Sequence, residues 1–263
     1  MTEDRMLEGR VAVVTGAARG LGAGIALALA EAGANVICCD VEDASEVAAE
    51  IEAVSGRTAS ATRLDVTDRG AVDDLLAEVD RDWAHLDIVV NNAGTAQPVV
   101  SLAETEDDVL EKVLATNVKG TFFVSRAAGR IMQDARHGAI INVASQVGKL
   151  AWPKFGVYSA SKAAVIALTQ ALALELAPYR VTVNCVCPGT MDTEMTRGVF
   201  AGAAAERGIP LADMLAEKAA SIPLGRLGTP ADVGKMVAWL ASDSASFTTG
   251  AAMNVTGGES VFF

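Results

Sequence analysis

Arg10-Val11-Ala12-Val13-Val14-Thr15-Gly16-Ala17-Ala18-Arg19-Gly20-Leu21-Gly22 decides the fold. Arg10 to Thr15 is a short, apolar, β-branched run, the pattern of a buried strand. Gly16, Gly20 and Gly22 fall in the turn that follows at once, and Ile25 to Ala32 reads as a helix closed by Gly33. Strand, glycine turn and helix in that order make a dinucleotide site credible. Gly16 allows the tight turn. Gly20 and Gly22 allow a pyrophosphate to approach and the helix to pack closely on the strand. Free N–H groups at the helix start face the phosphates, with Arg19 and Leu21 beside them. The spacing is Gly-x-x-x-Gly-x-Gly, not the commoner Gly-x-Gly-x-x-Gly.

A second strand, Asn35 to Cys39, ends at Asp40. A carboxylate there can accept hydrogen bonds from adenosine ribose hydroxyls and repels a 2′-phosphate, so Asp40 favours NAD over NADP. Its other use is as a cap for the helix starting near Asp43. Arg19 is the counter-signal, since an Arg in the glycine turn can pair with a 2′-phosphate. Further strands are expected at Thr62–Val66, Leu86–Val90, Gly138–Val143, Val181–Val186 and Ala252–Val255, with helices between. This alternation specifies an α/β fold, Rossmann-type and doubly wound, with seven parallel strands covered on both faces. Ligands of such sheets bind beyond the carboxyl ends of the strands. Gly16, Asp40, Asp65, Asn91, Ser145 and Pro188 all follow strand ends and converge on that edge.

Tyr158 and Lys162 stand at i and i+4, one turn apart on one helix face. A nearby ammonium favours the phenolate and lowers the Tyr pKa, which would make Tyr158 usable as acid and base. Ser145 lies 13 residues earlier, right after the fifth strand, where it either caps a helix or touches substrate.

The chain has 263 residues and 51% hydrophobic content, ordinary for one α/β domain spanning 1–263. No linker, repeat or low-complexity tract interrupts it. No apolar run is expected to reach the length of a membrane span, and the acidic start Met1-Thr2-Glu3-Asp4-Arg5 lacks a signal-peptide core, so a cytoplasmic protein is expected. The net charge of −12 argues against nucleic acid and anionic membrane as partners. Cys38, Cys39, Cys185 and Cys187 sit in expected strands as small buried thiols. With only His85 and His137 as further soft ligands, no metal site is expected.

Taken together, Thr15-Gly16-x-x-x-Gly20-x-Gly22, Asp65, Asn91-Asn92-Ala93-Gly94, Asn117, Ser145, Tyr158-x-x-x-Lys162 and Pro188-Gly189 resemble the short-chain dehydrogenase/reductase family in its 250-residue form, over nearly the whole chain. The resemblance implies nicotinamide-dependent hydride transfer. It implies Tyr158 as acid/base, Lys162 lowering its pKa and binding the nicotinamide ribose, and Ser145 polarising the substrate oxygen. Asn117 is implied to hold a relay water, although its side chain can equally satisfy backbone groups at a helix kink. Asp65 and Val66 are implied as adenine contacts, Asn91, Asn92, Ala93 and Gly94 as the bed beneath the cofactor, and Thr190 and Thr193 as carboxamide- and phosphate-side contacts after Pro188-Gly189.

Substrate choice is expected in a helical lid at about 190–224, with Gln146 and Trp152 beside the reacting carbon. Arg207-Gly208-Ile209-Pro210, Ile222-Pro223-Leu224 and Asn254-Val255-Thr256-Gly257-Gly258 are similar to polyol dehydrogenases of the family, so NAD-dependent oxidation of a sugar alcohol or vicinal diol is the expected activity on a small-molecule substrate. Thr256 stands where many members carry Asp. The alternatives are a 3-oxoacyl-acyl-carrier-protein reductase using NADPH and a non-catalytic nucleotide sensor on the same fold. The Ala-rich faces of the helices around Leu102–Met132 and Tyr158–Ala177 either cover the sheet or pair between subunits. The resemblance implies pairing, in a homotetramer.

Overall fold

The computed structural model describes residues 6–261, so the acidic Met1 to Arg5 stretch lies outside the described residues. The elements run β1 (Val11–Thr15), α1 (Gly20–Glu31), β2 (Asn35–Asp40), α2 (Ser45–Ser55), β3 (Ala59–Arg63), α3 (Arg69–Asp82), β4 (Ile88–Asn91), α4 (Asp107–Leu114), α5 (Thr121–Ala135), β5 (Gly138–Val143), α6 (Gly156–Leu176), β6 (Val181–Pro188), α7 (Glu194–Arg207), α8 (Leu211–Ser221), α9 (Pro230–Leu240) and β7 (Ala252–Val255). A π-helical turn, Ala115–Gly120, joins α4 to α5.

Side-chain alternation sets the layers. Ala12, Val14, Val36 and Cys38 pack into one apolar cluster with α1, α2 and α9. Val11, Val13, Ile37 and Cys39 point the other way, into a cluster with α3, α5 and α6. A sheet buried on both faces needs helices on both. All seven strands are parallel, in the order β3-β2-β1-β4-β5-β6-β7. The chain winds outward from β1 to β3, then returns to place β4 on the other side of β1. A crevice opens between them at this switch point.

Two expectations need correction. The third strand is Ala59–Arg63, ending three residues before the expected Val66. It is an edge strand aligned by β2 alone, in a register that pairs Val36 with Ala59 and Asp40 with Arg63. And α6, continued to Tyr179, is long and apolar enough to cross a membrane by length and composition, with a mean hydropathy of 1.3. Its apolarity has a use within the fold: Val165, Ala173 and Leu176 are buried against the sheet side of the protein. All four cysteines are free and buried in β2 and β6.

Asp87 anchors the opposite edge of the sheet. It is buried, accepts the Val11 N–H at 2.7 Å and lies 2.6 Å from His137 Nε2 and 3.2 Å from His85 Nε2. Burial alone would raise its pKa, but the His137 and Val11 hydrogen bonds outweigh burial and hold the carboxyl below its ordinary value. A folded-state pKa below the unfolded one contributes stability above about pH 4, lost as pH falls through the folded value. Asp87→Ala should therefore lower unfolding free energy at pH 7 by about 2–3 kcal/mol and flatten the acid limb of the stability curve. Urea melts from neutral to acid pH check this, and an unchanged acid limb would refute it.

Candidate active site

The crevice is built on a backbone contact. Gly16 takes φ +67°, and a side-chain carbon at Gly22 would sit 1.9 Å from the Gly16 carbonyl oxygen. Asn92 Nδ2 donates to the carbonyls of Thr15 and Gly16, at 2.9 and 2.8 Å. Thr15 Oγ1 in turn accepts the N–H groups of Asn92 and Ala93, both at 3.1 Å. The β1 and β4 loops are thus locked to one another.

At the start of α1, Arg19 makes no side-chain cap, and the first turn carries no acid. Nothing lies within 3.9 Å of the position a side chain at Gly20 would fill. An uncapped helix start beside open space suits a pyrophosphate. The residues present therefore fit a dinucleotide. The cleft, of about 750 Å³, is lined at one end by Asp40, Asp65 and Val66 and along its length by Gly16, Arg19, Gly20, Leu21, Gly22, Asn92, Ala93 and Gly94. Ser145, Tyr158 and Lys162 stand at the far end, with Pro188, Gly189 and Thr193 on the lip.

At the end nearest β2, Asp40 accepts the Ala18 N–H at 3.0 Å and the Glu42 N–H at 3.1 Å. It does not cap α2, whose N-cap, Ala44, offers no side-chain bond; Asp43 takes the Ser45 N–H at 2.9 Å just ahead of it. Arg19 pairs with Glu42 and, at 3.5 Å, with Glu194. Asp65 binds Thr67 through both N–H and hydroxyl. Glu42 did not stand out in the sequence. Its signal was an acid two residues past a strand tip, opposite an Arg in the glycine turn.

At the other end, Ser145 lines the cleft with Tyr158, and its hydroxyl accepts the Val147 N–H at 3.3 Å and so caps a short turn. Buried Gln97 accepts the Tyr158 N–H at 2.7 Å and fixes the first turn of α6. Lys162 Nζ donates to the Val143 carbonyl at 2.8 Å and lies 5.6 Å from the Tyr158 ring centroid. The expected lowering of the Tyr158 pKa is not what this arrangement gives. Burial pushes the phenol up to about 12, the Ser145 hydroxyl only partly opposing it, and burial pulls Lys162 down to about 8. Desolvation disfavours both charged forms.

Four expected site residues stand off the cleft. Asn117 is fully buried in the π turn, and its amide is consumed by bonds to Thr95 N–H (2.8 Å), Thr95 carbonyl (3.0 Å) and Ser161 (3.0 Å). Thr190 is drawn to Glu259, through its N–H at 2.8 Å and its hydroxyl at 2.9 Å. Gln146 accepts from Ser260 at 2.6 Å, and the Trp152 ring lies 5.1 Å from Lys218 Nζ. Met191, one of the apolar residues of the expected lid, lines the cleft, and Thr190 does not.

A family model described as enoyl-(acyl carrier protein) reductase matches residues 16–260. The chain is 38% identical to sorbitol dehydrogenase from Cereibacter sphaeroides over 96% of this chain and 98% of that one. It is 36% identical to the 3-oxoacyl-acyl-carrier-protein reductase of Escherichia coli strain K12, over 95% and 97%. The crystal structure of a putative short-chain alcohol dehydrogenase from Sinorhizobium meliloti 1021 superposes with a TM-score of 0.87 at 37% identity, covering 96% of this chain and 97% of that one. The glycine turn, the Ser145–Tyr158–Lys162 cluster and these full-length matches place the chain in the short-chain dehydrogenase/reductase family of oxidoreductases.

Proposed function

We propose that the protein oxidises a secondary alcohol of a sugar alcohol or vicinal diol, with NAD as its cofactor and Tyr158 as acid/base. The observation that carries this reading is the meeting of Ser145, Tyr158 and Lys162 in the wall of a cleft that Asp40 and Asp65 also line. When bound, NAD supplies the ring that accepts hydride. The chain's own residues do the rest. The ionised Tyr158 oxygen takes the proton of the substrate hydroxyl. Ser145 donates to the same oxygen as charge develops on it. Lys162, as ammonium, favours the phenolate across the short gap on α6. Asn92 to Gly94 and the α1 start hold the cofactor in register with that oxygen. Similarity to a sorbitol dehydrogenase supports the substrate class. The exposed Leu110, Phe122 and Leu174 on α4, α5 and α6 support assembly as a homotetramer, and we place the enzyme in the cytoplasm.

Preference for NAD rests on charge. Arg19, the one cation of the glycine turn, is already paired with Glu42, and Asp40 stands beside it. A 2′-phosphate would have to displace Glu42 and tolerate Asp40. Thioester reduction has its own support in the similarity to the Escherichia coli reductase. Against it, Ala163 to Ala177 holds no Lys or Arg to meet an acidic carrier, and Arg126 lies over the Phe122 and Phe123 rings, 5.4 and 5.5 Å away, which leaves the exposed Arg130 as the cation of α5 that keeps this reading open.

Absorbance at 340 nm with a panel of polyols and diols, run against an acetoacetyl thioester, separates the two. NAD-linked polyol oxidation is expected, falling about 10²- to 10⁴-fold in Tyr158→Phe. Thioester reduction with NADPH and silence on polyols would reject the assignment.

Because Tyr158 must lose a proton to act as base, and burial raises its pKa, alcohol oxidation should increase with pH into the alkaline range. Removing the ammonium in Lys162→Met should move that rise higher still. A kcat/KM profile flat from about pH 6 to 10 would exclude Tyr158 as the base.

Glu42→Ala removes the main partner of Arg19, leaving Glu194 at 3.5 Å, and should lower KM for NADP about 5- to 10-fold while leaving that for NAD little changed. An unchanged NADP/NAD ratio would remove Glu42 from the account of selectivity.

A further inference from the structure

Glu259 and Lys218 form a buried ion pair at 2.6 Å, their side chains 6% and 18% exposed, and neither has a part in the proton chemistry above. Lys218 lies on α8, and its ammonium also sits over the Trp152 ring at 5.1 Å. Glu259 follows β7. Its carboxylate accepts both the N–H and the hydroxyl of Thr190, and the next residue, Ser260, donates to Gln146, the neighbour of Ser145, at 2.6 Å. It lies so close to Gly189 that a side-chain carbon there would be 2.8 Å from Glu259 Oε2. Burial would raise this carboxyl, but Lys218, Thr190 and Gln146 outweigh burial and keep it below its ordinary pKa.

The lid has a closed base. Met191 and Gly228 form a parallel bridge, with the Asp192 N–H on the Gly228 carbonyl at 2.8 Å and the Gly228 N–H on the Thr190 carbonyl at 3.0 Å. Between these ends, α7 and α8 leave the body as one excursion, tied together by Arg207 and Glu217. At the other end of α8, the Leu224 N–H meets the Gly257 carbonyl at 3.1 Å. Glu259 is thus the carboxylate at which the lid, the loop after β6 and the loop after β5 meet.

We propose that Glu259 is a positioning residue that couples the seating of the α7–α8 lid, through Lys218, to the nicotinamide-side loop, through Thr190. It rests on the nicotinamide-dependent reading above. Its two contacts act separately: Lys218 holds the lid down, and Thr190 holds the loop that carries Gly189 and Met191 along the cleft. Removing one member of a buried pair leaves an uncompensated charge, so the lid should lift when Lys218 is lost.

Thermolysin cleavage within 194–221, followed by mass spectrometry on the protein without cofactor, reads the lid. Stopped-flow release of NADH reads the loop. Lys218→Met and Glu259→Ala should each speed lid cleavage about fivefold or more, and only Glu259→Ala should also speed NADH release about fivefold or more. Glu259→Gln, which retains an acceptor for Thr190, should behave like Lys218→Met. Cleavage rates unchanged in all three variants, or equal NADH release from Lys218→Met and Glu259→Ala, would overturn the proposal. The proteolysis needs no cofactor, so failure of the wild-type protein to bind NADH would count against the dehydrogenase reading and leave the lid result to be judged on its own.

Discussion

Everything at the cleft depends on how closely two stretches of backbone approach. The Gly16 carbonyl lies where a side chain on Gly22 would begin, so α1 can sit on the end of β1 only because position 22 has none. That approach aims the helix start at the crevice. Asn92 then bonds the same carbonyl from the β4 side and brings the segment before Gly94 under the cofactor bed. Support comes from behind as well. A side-chain carbon at Gly234 of α9 would fall 2.6 Å from Ala28 Cβ and 2.9 Å from the Gly24 carbonyl, so α9 backs α1 at close range. The capping box of Thr229 and Asp232, with Arg226 on the Asp232 carboxylate, fixes where α9 begins.

The chemistry is concentrated where desolvation is greatest. Burial holds both Tyr158 and Lys162 away from their charged forms. The surrounding polar groups are bound elsewhere and rigid: Gln97 on the Tyr158 N–H, Asn117 on Thr95, Val143 on the Lys162 ammonium. Such fixed dipoles position a proton acceptor without reorganising during the reaction.

Much of this was legible from local pattern. Strand–turn–helix at Val11–Glu31, the carboxylate at the tip of β2, and Tyr158 one turn from Lys162 are short-range features, and their periods mark them in the chain. Parallel pairing follows from the alternation of strands and helices, and the residues just past the strand ends marked the edge where the crevice lies. What escaped was set by residues far apart. Glu42 matters because Arg19, on another loop, reaches it. Thr190 leaves the cleft because Glu259, from the far end of the chain, claims both its donors. Asn117 had two open readings, and only the packing of Thr95 and Ser161 around it shows where its amide is spent. The phenol pKa went the other way from the simple pair argument because burial, which no spacing reveals, dominates at Tyr158 and draws Lys162 back from its charged form as well. The end of β3 was misjudged for a related reason: an edge strand's extent is dictated by its partner's register.

The π turn between α4 and α5 has a consequence for how such a chain can change over generations. It is a helix holding one surplus residue, with the ladder widened to absorb it. Deleting one position within 115–120 would let the helix wind regularly and leave α5 near its present phase, with Val124, Ala128 and Met132 still in the core and Ser125 still on Asn91. The loss would fall on the turn itself, where Asn117 holds Thr95 and Ser161. The length of this segment therefore answers to the wall of the cleft and not to the core behind it.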